Sequence, residues 1–139
     1  MQNNSFDLFS LVKAAGLSIM LCSFSDWYFY GILFHRRYSL TPGVWKKYSD
    51  KKDEMKSVTI AMIFQSLTSL IFILVSSYLG LTSLHSAVGF AVAIWLMVPM
   101  PLLLANSVFI PMDKMIVLAH GLGWLARLMI TALCVAWLH

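Results

Sequence analysis

Residues 58–79 read VTIAMIFQSLTSLIFILVSSYL, a run without one charged side chain. A helix needs roughly 17–25 consecutive apolar residues to cross the hydrocarbon core of a bilayer, and this run has them. Working outward, three further apolar runs of similar length appear at 14–34, 87–109 and 116–138. Lipid offers a backbone no hydrogen-bond partners, so each run must close its own bonds as a helix; barrel strands would be shorter and would alternate in polarity. The composition agrees. Of 139 residues, 60% are hydrophobic and 12% charged, where a soluble domain averages about 45–50% and about 25%. We therefore expect an all-α polytopic membrane protein with four transmembrane helices in an antiparallel bundle. It forms a single domain, residues 1–139, with no room for a second, soluble one.

Orientation follows from the basic residues. Seven of the ten Lys and Arg residues lie between Arg36 and Lys56, in the loop 35–57, and Lys114 lies in the short connection IPMDKM. The connection GLTSLHS has none, and Lys13 alone stands on the opposite side. Under the positive-inside rule the basic first loop is cytoplasmic and both termini face outward, as in a multi-pass protein of a bacterial inner membrane. The same rule accounts for the net charge of +4, so no nucleic-acid partner is expected. The N-terminal MQNNSFDLFS lacks the basic stretch of a signal peptide, and the first run reads as a retained span.

Within the loop, Thr41 can cap a short helix that begins at Pro42. Its Val44, Trp45 and Tyr48 share a face, which sets the aromatics at headgroup level beside Arg36, Arg37, Lys46 and Lys47. Ser49 or Asp50 caps the helix that continues into the second span.

Two spans carry charges: Asp26 in SFSDWYFYGILFHRR (residues 23–37) and Arg127 in the fourth run. A charge at bilayer depth costs at least about 2.5–3.5 kcal/mol on insertion scales, so each asks for a partner or a wet cavity. At about 1.5 Å per residue, Asp26 lies about 12 Å above Phe34 and Arg127 about 16 Å beyond Ile116, within reach of one another given the length of arginine. Gln65, Asn106 and His120 fall in the same cytoplasmic half. Helical spacing aligns His120, Trp124 and Arg127 in the fourth span, Gln65 with Thr68 and Ser69 in the second, and Ser18, Cys22 and Asp26 in the first. Asp26, Gln65, Asn106, His120, Trp124 and Arg127 are therefore the candidate ligand-binding residues, with Trp95 a further candidate for the cavity wall. Pro99 and Pro101 should kink the third span. Ala87 with Ala91, Gly89 with Ala93, and Ala119 with Gly123 let backbones approach. Cys22 and Cys134, without a paired spacing, read as small buried hydrophobes, and neither metal nor cofactor is expected.

These residues also carry a resemblance. Trp27-Tyr28, Gly31 to Phe34, Trp45-Lys46, Asn106 with Phe109, and His120-Gly121 resemble the motifs of a family of small bacterial four-span membrane proteins, domain of unknown function 1761. The resemblance covers most of the chain and implies the four-span architecture; it implies no activity. Asp26 departs from it, standing where the pattern has a small uncharged residue, and HRRYSLTPG lengthens the loop before Trp45.

Three functions compete on this reading. One is a binder or transporter of a small molecule through an inward-facing polar pocket, enlarged by homo-oligomerisation because four short helices enclose little volume; Arg127 would hold an anionic group and Asp26 set its charge state. A second is a structural or accessory subunit that docks a membrane partner. The third is a lipid-acting enzyme with His120 or Asp26 as general base, for which the chain has no His cluster, phosphate loop or spaced nucleophile.

Overall fold

The computed structural model describes residues 8–39 and 50–138, and its regular elements there are all helices. They are α1 (Leu8–Asp26), a π-helical stretch (Trp27–Leu33), α2 (His35–Ser39), α3 (Lys51–Tyr78), α4 (Leu84–Met97), α5 (Pro99–Phe109) and α6 (Lys114–Trp137). Four continuous stretches, Leu8–Leu33, Lys51–Tyr78, Leu84–Phe109 and Lys114–Trp137, are long and apolar enough to cross a membrane.

Each begins earlier than its apolar run. For the last three the cause is capping. Asp50 accepts a hydrogen bond from the Asp53 amide at 2.8 Å, so α3 starts amid charged residues; Asp113 accepts from the Met115 amide at 2.7 Å to start α6. Ser83 accepts from the Ser86 amide at 3.2 Å and opens α4. A side-chain oxygen that satisfies an orphan amide fixes a helix start whether or not the first turn is apolar. At its other end α3 closes on Gly80, whose φ is +67°. That left-handed turn, open to glycine, returns amides to the last free carbonyls. Leu81 N–H reaches the Ser76 carbonyl at 2.8 Å and Gly80 N–H the Ser77 carbonyl at 3.1 Å.

The third span breaks where its prolines stand. Val98 adopts φ −122° and ψ −71° between α4 and α5. Pro99 is the first residue of α5, where its missing donor costs least. The first span also changes character after Asp26. Its π-helical turns end with the Phe34 amide on the Phe29 carbonyl at 2.9 Å, and the Trp27 indole covers Gly31 so closely that a Cβ there would stand 3.3 Å from Cδ1. The loop helix expected around Thr41, Pro42, Val44, Trp45, Lys46, Lys47 and Tyr48 lies outside the described residues.

Helix α6 is the axis of the bundle: 44% of its apolar window is buried, against 17% in each of the other three spans. Ala14, Phe72, Ile73, Ala87, Ala91, Leu128, Ala132 and Val135 form the larger core, joining α1, α3, α4 and α6. The Phe72 and Phe90 rings meet at 5.3 Å between α3 and α4. A smaller cluster joins Phe34, Ile116 and Ala119 with Phe29 and Tyr30. Ala87, Ala91, Ala119 and Gly123 are buried, whereas Gly89 and Ala93 are exposed, with no packed helix over them among the described residues. On α3 the outward face carries Ile63, Phe64, Leu67, Ile71 and Leu74, all exposed. A surface so apolar suits lipid as its solvent.

Candidate functional site

Three helices carry polar side chains to one seam. Along α1 come Ser18, Cys22 and Asp26 at intervals of four; along α3, Ser69 and Ser76 beyond Gln65; along α6, Arg127 and Thr131. These are the positions that a 3.6-residue period places on one face.

Asp26 and Arg127 meet as an ion pair between Oδ2 and Nη2, with side chains 13% and 5% exposed. Arg127 Nη1 donates to the Gln65 carbonyl oxygen at 3.0 Å. The second span thus answers the guanidinium with its backbone, not with the Gln65 amide. One guanidinium binds α6 to α1 through a carboxylate and to α3 through a main-chain oxygen.

One turn along each helix lies a second polar level. Thr131 Oγ1 donates to the Arg127 carbonyl at 3.0 Å and stands 3.3 Å from Ser69 Oγ. Cys22 Sγ donates to the same carbonyl at 3.6 Å and lies 3.8 Å from Thr131 Oγ1 and 4.0 Å from Ser69 Oγ. Cys22 is therefore more than a small hydrophobe: its thiol is one corner of a three-helix polar contact. Cys134 is buried beside the core. Beyond this level, Ser18 Oγ and Ser76 Oγ are fully buried without a hydrogen-bond partner among the described residues.

On the other side of the pair, the Tyr30 ring lies 5.1 Å from that of His120, centroid to centroid. Its hydroxyl reaches over Gly123. Trp95 Nε1 donates to the Gly121 carbonyl at 2.8 Å and ties α4 to α6. Of the other residues named from sequence, Trp124 is half-buried and Asn106 is exposed on α5, so neither joins the ion pair. Arg36 is exposed. Arg37 Nη1 stands 3.7 Å from Oδ2 of Asp113, the residue that caps α6. Trp45, Lys46 and Lys47 lie outside the described residues.

Open grooves mark the surface of the described residues, two of them large. One, of about 540 Å³, runs among Leu17, Leu84, Ile130 and Leu133. The other, of about 500 Å³, runs beside the α4–α5 break among Trp95, Met100, Leu104 and Leu118, with Lys114 at one end. Neither is lined by Asp26 or Arg127. The ion pair is enclosed by packed helices. Among the described residues, no three His, Cys, Asp or Glu side chains gather as a metal-holding group.

No curated protein and no solved structure matches this chain. A family model does, over residues 13–136, a range that holds the ion pair, both polar levels and the broken third span; its description is "Protein of unknown function (DUF1761)". Matched over nearly its whole length, the chain belongs to the DUF1761 family.

Proposed function

We propose that this is a single-domain, four-span protein of a bacterial plasma membrane that binds a small anionic solute at Arg127 and moves it across the bilayer. In this reading loop 35–57 and the connection that carries Lys114 face the cytoplasm, both termini face outward, and the spans run antiparallel; the distribution of Lys and Arg supports it. The observation that carries the solute-binding reading is the ion pair itself. Two charges taken out of water repay their desolvation only in good geometry, and apolar side chains of similar volume would hold the helices together as well or better. A pair kept at that cost in lipid calls for a task beyond packing.

Its surroundings support movement. Asp26 is the last α-helical residue before the π-helical stretch, and such interruptions occur frequently at functional sites. A guanidinium has five N–H donors; here one goes to Asp26 and one to the Gln65 carbonyl. Yielding at Trp27–Leu33 on one side and at Val98–Pro99 on the other would part α1 and α5 from α6 and admit a solute. The arrangement described is the closed one, with Arg127 only 4% exposed.

The test is thermal unfolding of the purified protein in detergent against inorganic phosphate, chloride, acetate and succinate. A ligand that binds the folded state at 100 times its Kd adds about 2.7 kcal/mol. We expect at least one anion to raise Tm in the native protein and to lose that effect in Arg127→Gln. No shift with any of the four, or an equal shift in the variant, rejects the reading.

A second reading, a structural clamp within an accessory subunit, is favoured by the enclosure of the pair. It predicts no effect on Tm from any of the four anions.

A further inference from the structure

We infer that the seam of α1, α3 and α6 is a proton path, with Asp26 as the group that takes the proton up and passes it on. The inference stands whether or not Arg127 also holds a solute.

Five hydroxyl and thiol groups, Ser18, Cys22, Ser69, Ser76 and Thr131, lie on that seam, none more than 1% exposed. Cys22, Ser69 and Thr131 touch one another, and Cys22 and Thr131 also reach the Arg127 carbonyl. Ser18 and Ser76 have no hydrogen-bond partner among the described residues. That is not the habit of hydroxyls in these helices: Ser23, Thr59, Thr68 and Ser77 all donate to the carbonyl four residues back. An unpartnered buried hydroxyl costs about 1–3 kcal/mol, which a bridging water recovers. Two such oxygens on the seam that already links Cys22, Ser69 and Thr131 extend the file of groups able both to accept and to donate a proton.

The file is long enough to matter. Gln65 and Arg127 meet at one level, and Ser69 and Thr131, each four residues further on, meet at the next. Ser76 and His120 therefore lie on opposite sides of the pair. Eleven residues separate Gln65 from Ser76 and seven separate Arg127 from His120, together about 27 Å of helix rise. The hydrocarbon core is about 30 Å thick. The His120 imidazole and the Tyr30 hydroxyl continue the polar groups on the far side of the pair.

The ion pair supplies selectivity. Asp26 and Arg127 sum to no net charge, so a sodium ion gains nothing electrostatically by entering. A proton alone can bond to the carboxylate. When Asp26 Oδ2 takes one from water on the His120 side, the carboxyl becomes neutral and its pairing with Arg127 loosens. It then gives the proton to the hydroxyl–water file on the Cys22 side, and the carboxylate pairs again. Each relay group ends with as many protons as it began. The titratable groups at the centre are Asp26 and Cys22 on α1 and Arg127 on α6; α3 presents the Gln65 carbonyl and the Ser69 hydroxyl.

The test is proton flux into phosphatidylcholine vesicles that contain the full-length protein and a trapped pH-sensitive dye, driven by a potassium diffusion potential set with valinomycin. Flux several-fold above that of protein-free vesicles is expected. Asp26→Asn and Thr131→Val should bring it to the protein-free rate, while Thr59→Val, on the exposed face of α3, should leave it unchanged. Thr131→Val conserves volume and keeps the test decisive if Asp26→Asn fails to fold. Native flux equal to the protein-free rate, unchanged flux in Thr131→Val, or an equal leak of sodium overturns the proposal. Solute binding is read separately by Tm, so either reading can fail alone.

Discussion

Gly123 of α6 lies directly beneath the Tyr30 phenol: a Cβ at that glycine would collide with the hydroxyl and stand 3.1 Å from Cζ. No other residue type leaves that space, and through it the π-helical stretch seats against α6. Overpacking of this kind costs typically about 1–3 kcal/mol. Ala gains about 0.5–1 kcal/mol over Gly inside a helix, which offsets part of that cost. Gly123→Ala should therefore lower the unfolding free energy by no more than about 2 kcal/mol. The obstacle is the far end of a side chain, which makes the cost recoverable. Tyr30→Phe in the Gly123→Ala background should restore part of it, and a double-mutant cycle on Tm measures the coupling. A loss that Tyr30→Phe leaves untouched would place the conflict elsewhere.

The ion pair makes an asymmetric prediction. Arg127→Met leaves Asp26 buried without its counter-charge, and Asp26→Leu does the same to Arg127; each should cost about 3–5 kcal/mol. The double variant, Asp26→Leu with Arg127→Met, leaves neither charge stranded. Its stability should return to that of the native protein or exceed it. Denaturation in detergent reads all four corners of the cycle. Two single losses that simply add would show that the charges do not depend on one another.

The Trp95 indole tests how much one interhelical hydrogen bond contributes here. Bonds of this kind between membrane helices average about 0.6 kcal/mol, with a maximum of about 1.7 kcal/mol. Trp95→Phe keeps a ring in place and removes the donor to the Gly121 carbonyl. Its loss of stability should fall in that range, whereas Trp95→Ala, which also empties space beside α6, should cost more. Equal losses in the two variants would mean that the hydrogen bond, not the ring, holds α4 to α6.

What was legible in the sequence follows from what each constraint acts on. Lipid constrains whole segments, so four spans could be read from apolar length alone. Helix starts depend on a single capping oxygen, and Ser83 and Asp113 stand outside the apolar runs where that reading does not look. Depth could be counted from the fixed rise of a helix, and that arithmetic brought Asp26 and Arg127 together. Depth does not give direction. Asn106 has a suitable height, but it follows the break at Val98, and beyond that break α5 turns it to the exterior. The chemistry of Cys22 was invisible for another reason: its partners, Ser69 and Thr131, are 47 and 109 residues away in the chain. A carbonyl from Gln65 could not have been foreseen as a ligand of Arg127, because every residue carries one.

Orientation can be read chemically, because both native cysteines are buried, Cys22 at 0% and Cys134 at 3% exposed. The native protein should therefore react slowly with a membrane-impermeant maleimide from either side. His85 and Lys52 are both exposed, one at the start of α4 and the other at the start of α3. If the basic first loop is cytoplasmic, His85→Cys should be labelled on intact cells stripped of their outer barrier, and Lys52→Cys only after the membrane is permeabilised. Eight basic residues stand on one side against one on the other, counted over short loops, where the positive-inside rule acts most strongly. The reverse pattern would turn the protein over. His120 would then face the outside, and the direction of the solute entry proposed at Arg127 would be reversed with it.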